Sequence, residues 1–305
     1  MGKNTLAFQL ALPRDYKREV FLAYHAWDGR EIAERTTADG LTKGVVLCGS
    51  PALLRVTFAR GAAEVVLEPD LAWACAEGFD AEAFARHLLG LDQPVEVFEA
   101  QYRTHPLLGP LIEERHGLRL PQVSPFEALV RAILGQQVSV KSAIAVRSRF
   151  IEAAGQRHAS GFYCFPDAGG VLALDSGALQ AAGLSRRKSE TVLDICRRVH
   201  SGELPLDRWF ERLSKKEMPA GEIERNLLAI RGIGPWTVAY ALSRGFDWLD
   251  GSLHGDVGMR RGLERLLGVP GKLTEAEAEE WLKAFIPWRG LVTAYLWSLR
   301  AIDGP

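Results

Sequence analysis

Residues 226–260, NLLAIRGIGPWTVAYALSRGFDWLDGSLHGDVGMR, constrain this chain more than any other stretch. Ile223, Leu227, Leu228 and Ile230 recur at helical spacing. Gly232 and Gly234 then break the helix, and Pro235 suits the first position of the next. The second helix is predicted from about Trp236 to Ser243, stopping before Gly245. Such a hairpin leaves backbone N–H groups free at a helix N-terminus, where they and the helix dipole bind an anion such as phosphate. Glycine lets the anion approach the backbone closely.

Composition sets the outer bounds. The 305 residues suffice for two or three domains, and 47% hydrophobic with 25% charged residues describes an ordinary globular protein. The net charge of −1 gives no global attraction for nucleic acid, so any such contact must come from local basic groups and helix ends. Cys48, Cys75, Cys164 and Cys196 show no metal-binding spacing and are expected to be reduced, mostly buried thiols of a cytosolic protein. No basic stretch followed by an apolar run opens the chain, so no signal peptide is expected. No apolar segment is long enough to cross a bilayer.

Along the chain, residues 6–12 alternate as a strand does, and Tyr16, Val20, Tyr24 and Trp27 recur at helical spacing. Short β-like runs follow at 45–48, 53–59 and 63–68, and Asp80 caps a helix ending near Gly90. Residues 1–90 are therefore predicted to form a small N-terminal α+β domain, and 91–305 a mainly α-helical bundle, giving an α+β fold class overall. Ser124-Pro125-Phe126-Glu127 reads as a capping box, Gly135 interrupts the helix behind it, and Ser139 caps the second half. Ser185 opens a further helix to about Ser201, and others are predicted near 107–116, 257–267 and 274–286. The last helix follows Pro287-Trp288-Arg289 and runs through Trp297.

The hairpin Gly232-Ile233-Gly234, followed by Gly255-Asp256-Val257-Gly258, resembles the helix-hairpin-helix and Gly/Pro-Asp motif of the DNA glycosylase superfamily. Gly117-Leu118-Arg119-Leu120-Pro121, residues 126–150 and the Pro287-Trp288-Arg289…Trp297 spacing further resemble the AlkA-type 3-methyladenine glycosylases. The likeness covers about residues 117–300 well and 1–90 only in layout. It implies a helix-hairpin-helix glycosylase bundle and Asp256, twenty residues after Trp236, as catalytic carboxylate. A plain helix N-cap is the structural alternative for Asp256, and the two roles are compatible. It implies Trp236, Tyr240 and Trp297 as an aromatic base pocket, each of them otherwise a core aromatic. Trp236 stands where lyase relatives carry a nucleophilic lysine, so a monofunctional enzyme is expected.

The resemblance also implies DNA contacts at Gly232, Gly234, Thr237 and Gln137. Gln137 replaces the wedge leucine of the family, which leaves its role open between wedge and solvated helix residue. Lys141, Arg147, Arg186, Arg187, Lys188, Arg260 and Arg261 are candidates for flanking a DNA face. The carbonyls of Leu228, Ile230 and Ile233 match a monovalent-cation site. The cysteine spacing excludes the iron–sulfur loop of some relatives, and no other cofactor is expected. The expected partner is double-stranded damaged DNA, met by a monomer. The rival expectations are a glycosylase for oxidised, deaminated or mismatched bases, and a non-catalytic hairpin module that only binds DNA.

Overall fold

The structure, a computed structural model, describes residues 5–70 and 79–299; Cys75 lies outside the described residues. The chain opens with β1 (Leu6–Ala11), α1 (Arg18–His25), β2 (Glu34–Thr36), β3 (Gly40–Leu47), β4 (Ser50–Ala59), β5 (Ala62–Pro69) and α2 (Ala81–Leu89). The strands form one antiparallel sheet in the order β1-β5-β4-β3-β2. Two-residue turns set its register. Cys48 and Gly49, at φ 50° and 76°, join β3 to β4 with Leu47 opposite Ser50. Positive φ at both central residues matches the strand twist. Alternate residues Leu54, Val56 and Phe58 of β4 and Ala63, Val65 and Leu67 of β5 are buried with Phe21, Leu22, Leu88 and Leu89 of α1 and α2. The expected N-terminal strand and the cap at Asp80, whose side chain accepts from Ala83 N–H, are present. The edge strand β2, Glu-Arg-Thr, has no apolar alternation and left no sequence signal. Cys164 and Cys196 are buried free thiols, but Cys48 is disulfide-bonded, which corrects the expectation of reduced cysteines throughout.

Helices follow: α3 (Val95–Tyr102), α4 (Leu108–Arg115), α5 (Pro125–Gly135), α6 (Val140–Ala154), α7 (Ala168–Leu172), α8 (Ser176–Ala181), α9 (Arg186–His200) and α10 (Leu206–Ser214). The last are α11 (Ala220–Leu228), α12 (Pro235–Gly245), α13 (Val257–Leu267), α14 (Glu275–Lys283) and α15 (Arg289–Ser298). They enclose two cores. One gathers Leu129, Ile133, Phe150, Val192, Ile223, Leu227 and Val238 from α5, α6, α9, α11 and α12. The other gathers Phe98, Ile112, Leu263, Leu282 and Tyr295 from α3, α4, α13, α14 and α15. Helices α5 and α12 touch so closely at Gly245 that a Cβ there would lie 2.8 Å from the Ala128 Cβ and the Pro125 Cα. Helix α12 belongs to the first core and α13 and α15 to the second, so the seam between the cores runs along the candidate site.

A buried ionic cluster joins the sheet to the helices. Glu34 of β2 accepts from Lys43 Nζ at 2.6 Å, from Arg131 at 2.8 Å, from Arg147 at 2.6 Å, and lies 3.0 Å from His25 Nδ1. Glu127 of α5 accepts from Lys43 at 2.9 Å and forms an ion pair with Arg131 at 2.6 Å. Burial alone would raise the carboxyl pKa of Glu34, but Arg131, Arg147 and Lys43 together hold it well below the usual range. Two sequence expectations change here. Ser124 does cap α5, accepting from Glu127 N–H at 3.2 Å, but the Glu127 carboxylate is spent on Lys43 and Arg131. Arg147 is buried against Glu34 and does not flank a DNA face.

Candidate active site

The hairpin needs its two glycines for different reasons. Gly232 has φ 96°, and a Cβ there would lie 2.3 Å from Thr191 Oγ1. That hydroxyl is committed, its one proton lying within reach of the carbonyl oxygens of Arg187 at 3.0 Å and Arg231 at 3.2 Å. Gly234 is the N-cap of α12, with Pro235 next, and a Cβ there meets nothing within 4 Å. The chain itself therefore tolerates a side chain at Gly234. What that side chain would obstruct is the approach to the first-turn N–H groups of α12 from outside.

A second loop is tied to the hairpin. Helix α5 ends at Gly135, Gln137 has φ 53°, and Ser139 caps α6 by accepting from Ser142 N–H. Gln136 Nε2 donates to the Gly232 carbonyl at 3.1 Å and to Thr237 Oγ1 at 2.9 Å. Lys188 Nζ donates to the carbonyls of Leu134 at 2.9 Å and Gln136 at 2.7 Å. An ammonium there answers the unpaired carbonyls at the C-terminus of α5, and burial lowers its pKa. These bonds hold a tip formed by exposed Gln137, Val138 and Val140 beside the hairpin. Thr237 is only 2% exposed, and its hydroxyl is held within the loop by the bond from Gln136. Lys188 likewise has an internal role, and Arg186 pairs with Glu190.

Asp256 both caps α13 and binds two indoles. Its Oδ1 accepts from Met259 N–H at 2.8 Å, which caps α13, and from Trp297 Nε1 at 2.9 Å. Its Oδ2 accepts from Trp236 Nε1 at 3.1 Å. The donors are neutral N–H groups, so they fix the carboxylate without cancelling its charge. Trp236, Tyr240 and Arg244 follow one face of α12 at i, i+4 and i+8. The Trp236 and Tyr240 rings are 5.6 Å apart at 32°. Burial raises the Tyr240 phenol well above its ordinary pKa, with Tyr24 of α1 pushing the same way. His254 lies 3.0 Å from Ser252 Oγ through Nδ1, and its carbonyl accepts from Arg260, so its loop is braced locally.

Trp236, Tyr240, Trp297 and Asp256 thus converge. Sequence reasoning missed Gln136, Tyr24 and Arg244. Arg244 was open to detection, being one turn beyond Tyr240 on the same face, whereas the Tyr24 contact joins residues too distant in sequence for any local pattern to report. Among the described residues no cluster of His, Cys, Asp and Glu could hold a metal ion, and no helix is long and apolar enough to cross a membrane.

Residues 130–287 match the family described as HhH-GPD superfamily base excision DNA repair protein. The chain is 31% identical over 213 residues to the DNA-3-methyladenine glycosylase of Bacillus subtilis (strain 168), covering 68% of each chain. It is 31% identical over 196 residues to DNA-3-methyladenine glycosylase 2 of Escherichia coli (strain K12), covering 62% of this chain and 63% of that one. The solved 3-methyladenine DNA-glycosylase from Archaeoglobus fulgidus shares the fold, with a TM-score of 0.79 at 22% identity over 98% of this chain and 100% of that chain. By the family match over residues 130–287, the hairpin and aspartate within it, and the identity to these relatives, the chain belongs to the HhH-GPD superfamily of base excision DNA repair proteins.

Proposed function

We propose that this protein is a monofunctional DNA glycosylase. It extrudes an alkylated purine from double-stranded damaged DNA and hydrolyses the N-glycosidic bond, leaving a free base and an abasic site. The observation that carries this reading is Asp256, held by two indole N–H groups beside the aromatic pair Trp236 and Tyr240. Cleavage of the bond builds positive charge on the sugar. A fixed, unneutralised carboxylate stabilises that charge and orients water on it. Electron-rich rings favour a base that alkylation has made cationic. The family and the names of the curated relatives support the same chemistry.

The α12 N-terminus, open at Gly234, takes a backbone phosphate, and the Gln137 tip fills the space that the extruded base leaves. The carbonyls of Leu228, Ile230 and Ile233 suit a monovalent cation. Ile230 O accepts from Ile233 N–H at 3.1 Å and retains a lone pair. Bound there, the cation supplies positive charge on the protein side of the phosphate. The enzyme acts as a monomer. The test is to incubate the protein with methylated duplex DNA and identify the released bases. Release of methylated purines is expected; release of only oxidised or deaminated bases from matched duplexes would overturn the substrate assignment.

A further inference from the structure

We infer that Arg244 is a positioning residue for the reacting carboxylate, acting through Trp297. The inference rests on the reading of Asp256 given above.

Arg244 is 8% exposed, and its guanidinium carbon lies 4.5 Å from the Tyr24 ring centroid and 5.1 Å from that of Trp297. Tyr24 comes from α1 and Trp297 from α15, so the cation engages rings from opposite ends of the chain. One terminal nitrogen of Arg244 donates to the Pro121 carbonyl at 3.1 Å, and its Nε is buried without a partner. Burying a charge with so little hydrogen bonding is costly. The rings are what answers it, since a cation over an aromatic face is attracted by the ring quadrupole.

The consequence reaches Asp256 through the far edge of the Trp297 indole. Trp297 Nε1 donates to Asp256 Oδ1 at 2.9 Å, and the same indole faces Arg244. A guanidinium against that ring resists its rotation, which would carry the N–H off Oδ1. It also draws electron density from the indole and so strengthens the N–H as a donor. Tyr24 is the other jaw, and Arg131, fixed by Glu34 and Glu127, lies 5.4 Å from the Tyr24 ring centroid. The N-terminal layer therefore backs the site through Tyr24.

The test is a double-mutant cycle in single-turnover base release from methylated duplex DNA. Arg244→Met is expected to slow release about thirtyfold, the rate equivalent of one well-desolvated cation–π contact. Affinity for a duplex with an abasic-site analogue should stay within about twofold, because Arg244 touches Trp297 and not DNA. Arg244→Lys should recover part of the rate. In a Trp297→Phe background, which has no indole N–H to aim, Arg244→Met should add no further loss. Losses that multiply in the double variant, or an Arg244→Met rate within about twofold of wild type, would overturn the inference. If Arg244→Met fails to fold, the cycle is run with Arg244→Lys, which keeps the charge, and the same non-additivity decides. Asp256→Asn measured in parallel separates the two layers. A fully active Asp256→Asn enzyme overturns both readings, whereas an inactive one with a multiplicative cycle overturns the role of Arg244 alone.

Discussion

The indole N–H of Trp236 donates to a carboxylate oxygen of Asp256 across 3.1 Å, linking the first turn of one helix to the cap of another twenty residues later. In a chain with lysine at position 236, an amine would stand in its place. The same spacing that makes the motif legible thus sets what chemistry it supports.

Replacing Asp256 by Asn should slow base release by about 10²–10³ while leaving DNA affinity nearly unchanged, because the lost charge acts mainly on the transition state. The amide retains an acceptor for one indole. Single-turnover release within threefold of wild type would remove Asp256 from the reaction.

Gly234→Val should weaken binding to any duplex by about tenfold, the worth of one charge-assisted hydrogen bond. The melting temperature should not move, since a Cβ there meets nothing within 4 Å and the φ of −118° suits any residue. Fluorescence anisotropy on undamaged duplex gives the affinity. Equal affinities for variant and wild type would take the hairpin out of the DNA interface. Gly232→Ala is the contrast: its φ of 96° and the nearby Thr191 hydroxyl should cost stability instead.

Borohydride should fail to trap the wild-type protein on damaged DNA, and strand breaks should appear only after alkali or heat. Trp236 offers no amine to form a Schiff base. The ammonium of Lys188 is held by two carbonyls behind the 136–137 loop. A trapped, DNA-linked band that Asp256→Asn abolishes would reverse this assignment.

Asp247→Asn should stabilise the protein in a pH-dependent way. Burial pushes the Asp247 carboxyl up to about 7, despite a hydrogen bond from Gln93 Nε2 at 2.7 Å. A folded-state pKa raised above the unfolded value of 3.8 means that stability is lost as pH rises from about 4 through 7. The Asn variant escapes that loss, keeps an acceptor for Gln93 and tolerates the φ of 57°. Its gain should grow with pH and level off above 7 at about 1–3 kcal/mol. Thermal melts at pH 5 and pH 8 that show the same gain would refute this.

Much of the site is legible because its signals are local. Gly232, Gly234 and Pro235 break and restart the helix within four residues, and Asp256 and Ser139 announce helix starts by their own chemistry. The helix from Val257 to Leu267 has the bounds its sequence suggests. What stayed hidden depends on pairing across the chain. Glu127 fits a capping box until Lys43 arrives from the sheet, and Arg147 passes for a solvated helix charge until Glu34 meets it. The short helices α7 and α8 lack enough turns to show a period. The bond from Gln136 to the Thr237 hydroxyl joins residues 101 apart and left no local signal either.

The ionic cluster around Glu34 has a consequence for how the protein responds to ionic strength. Glu34, Lys43, Glu127, Arg131 and Arg147 lie out of reach of mobile ions, so added salt barely weakens their attraction. A phosphate held at the hairpin, as proposed above, would differ, because it trades against counterions and loosens steeply with salt. Release from DNA and separation of sheet from helices are thus governed by different charges. A brine wash strong enough to strip nucleic acid leaves the junction behind Tyr24, and with it the backing of the pocket, in place.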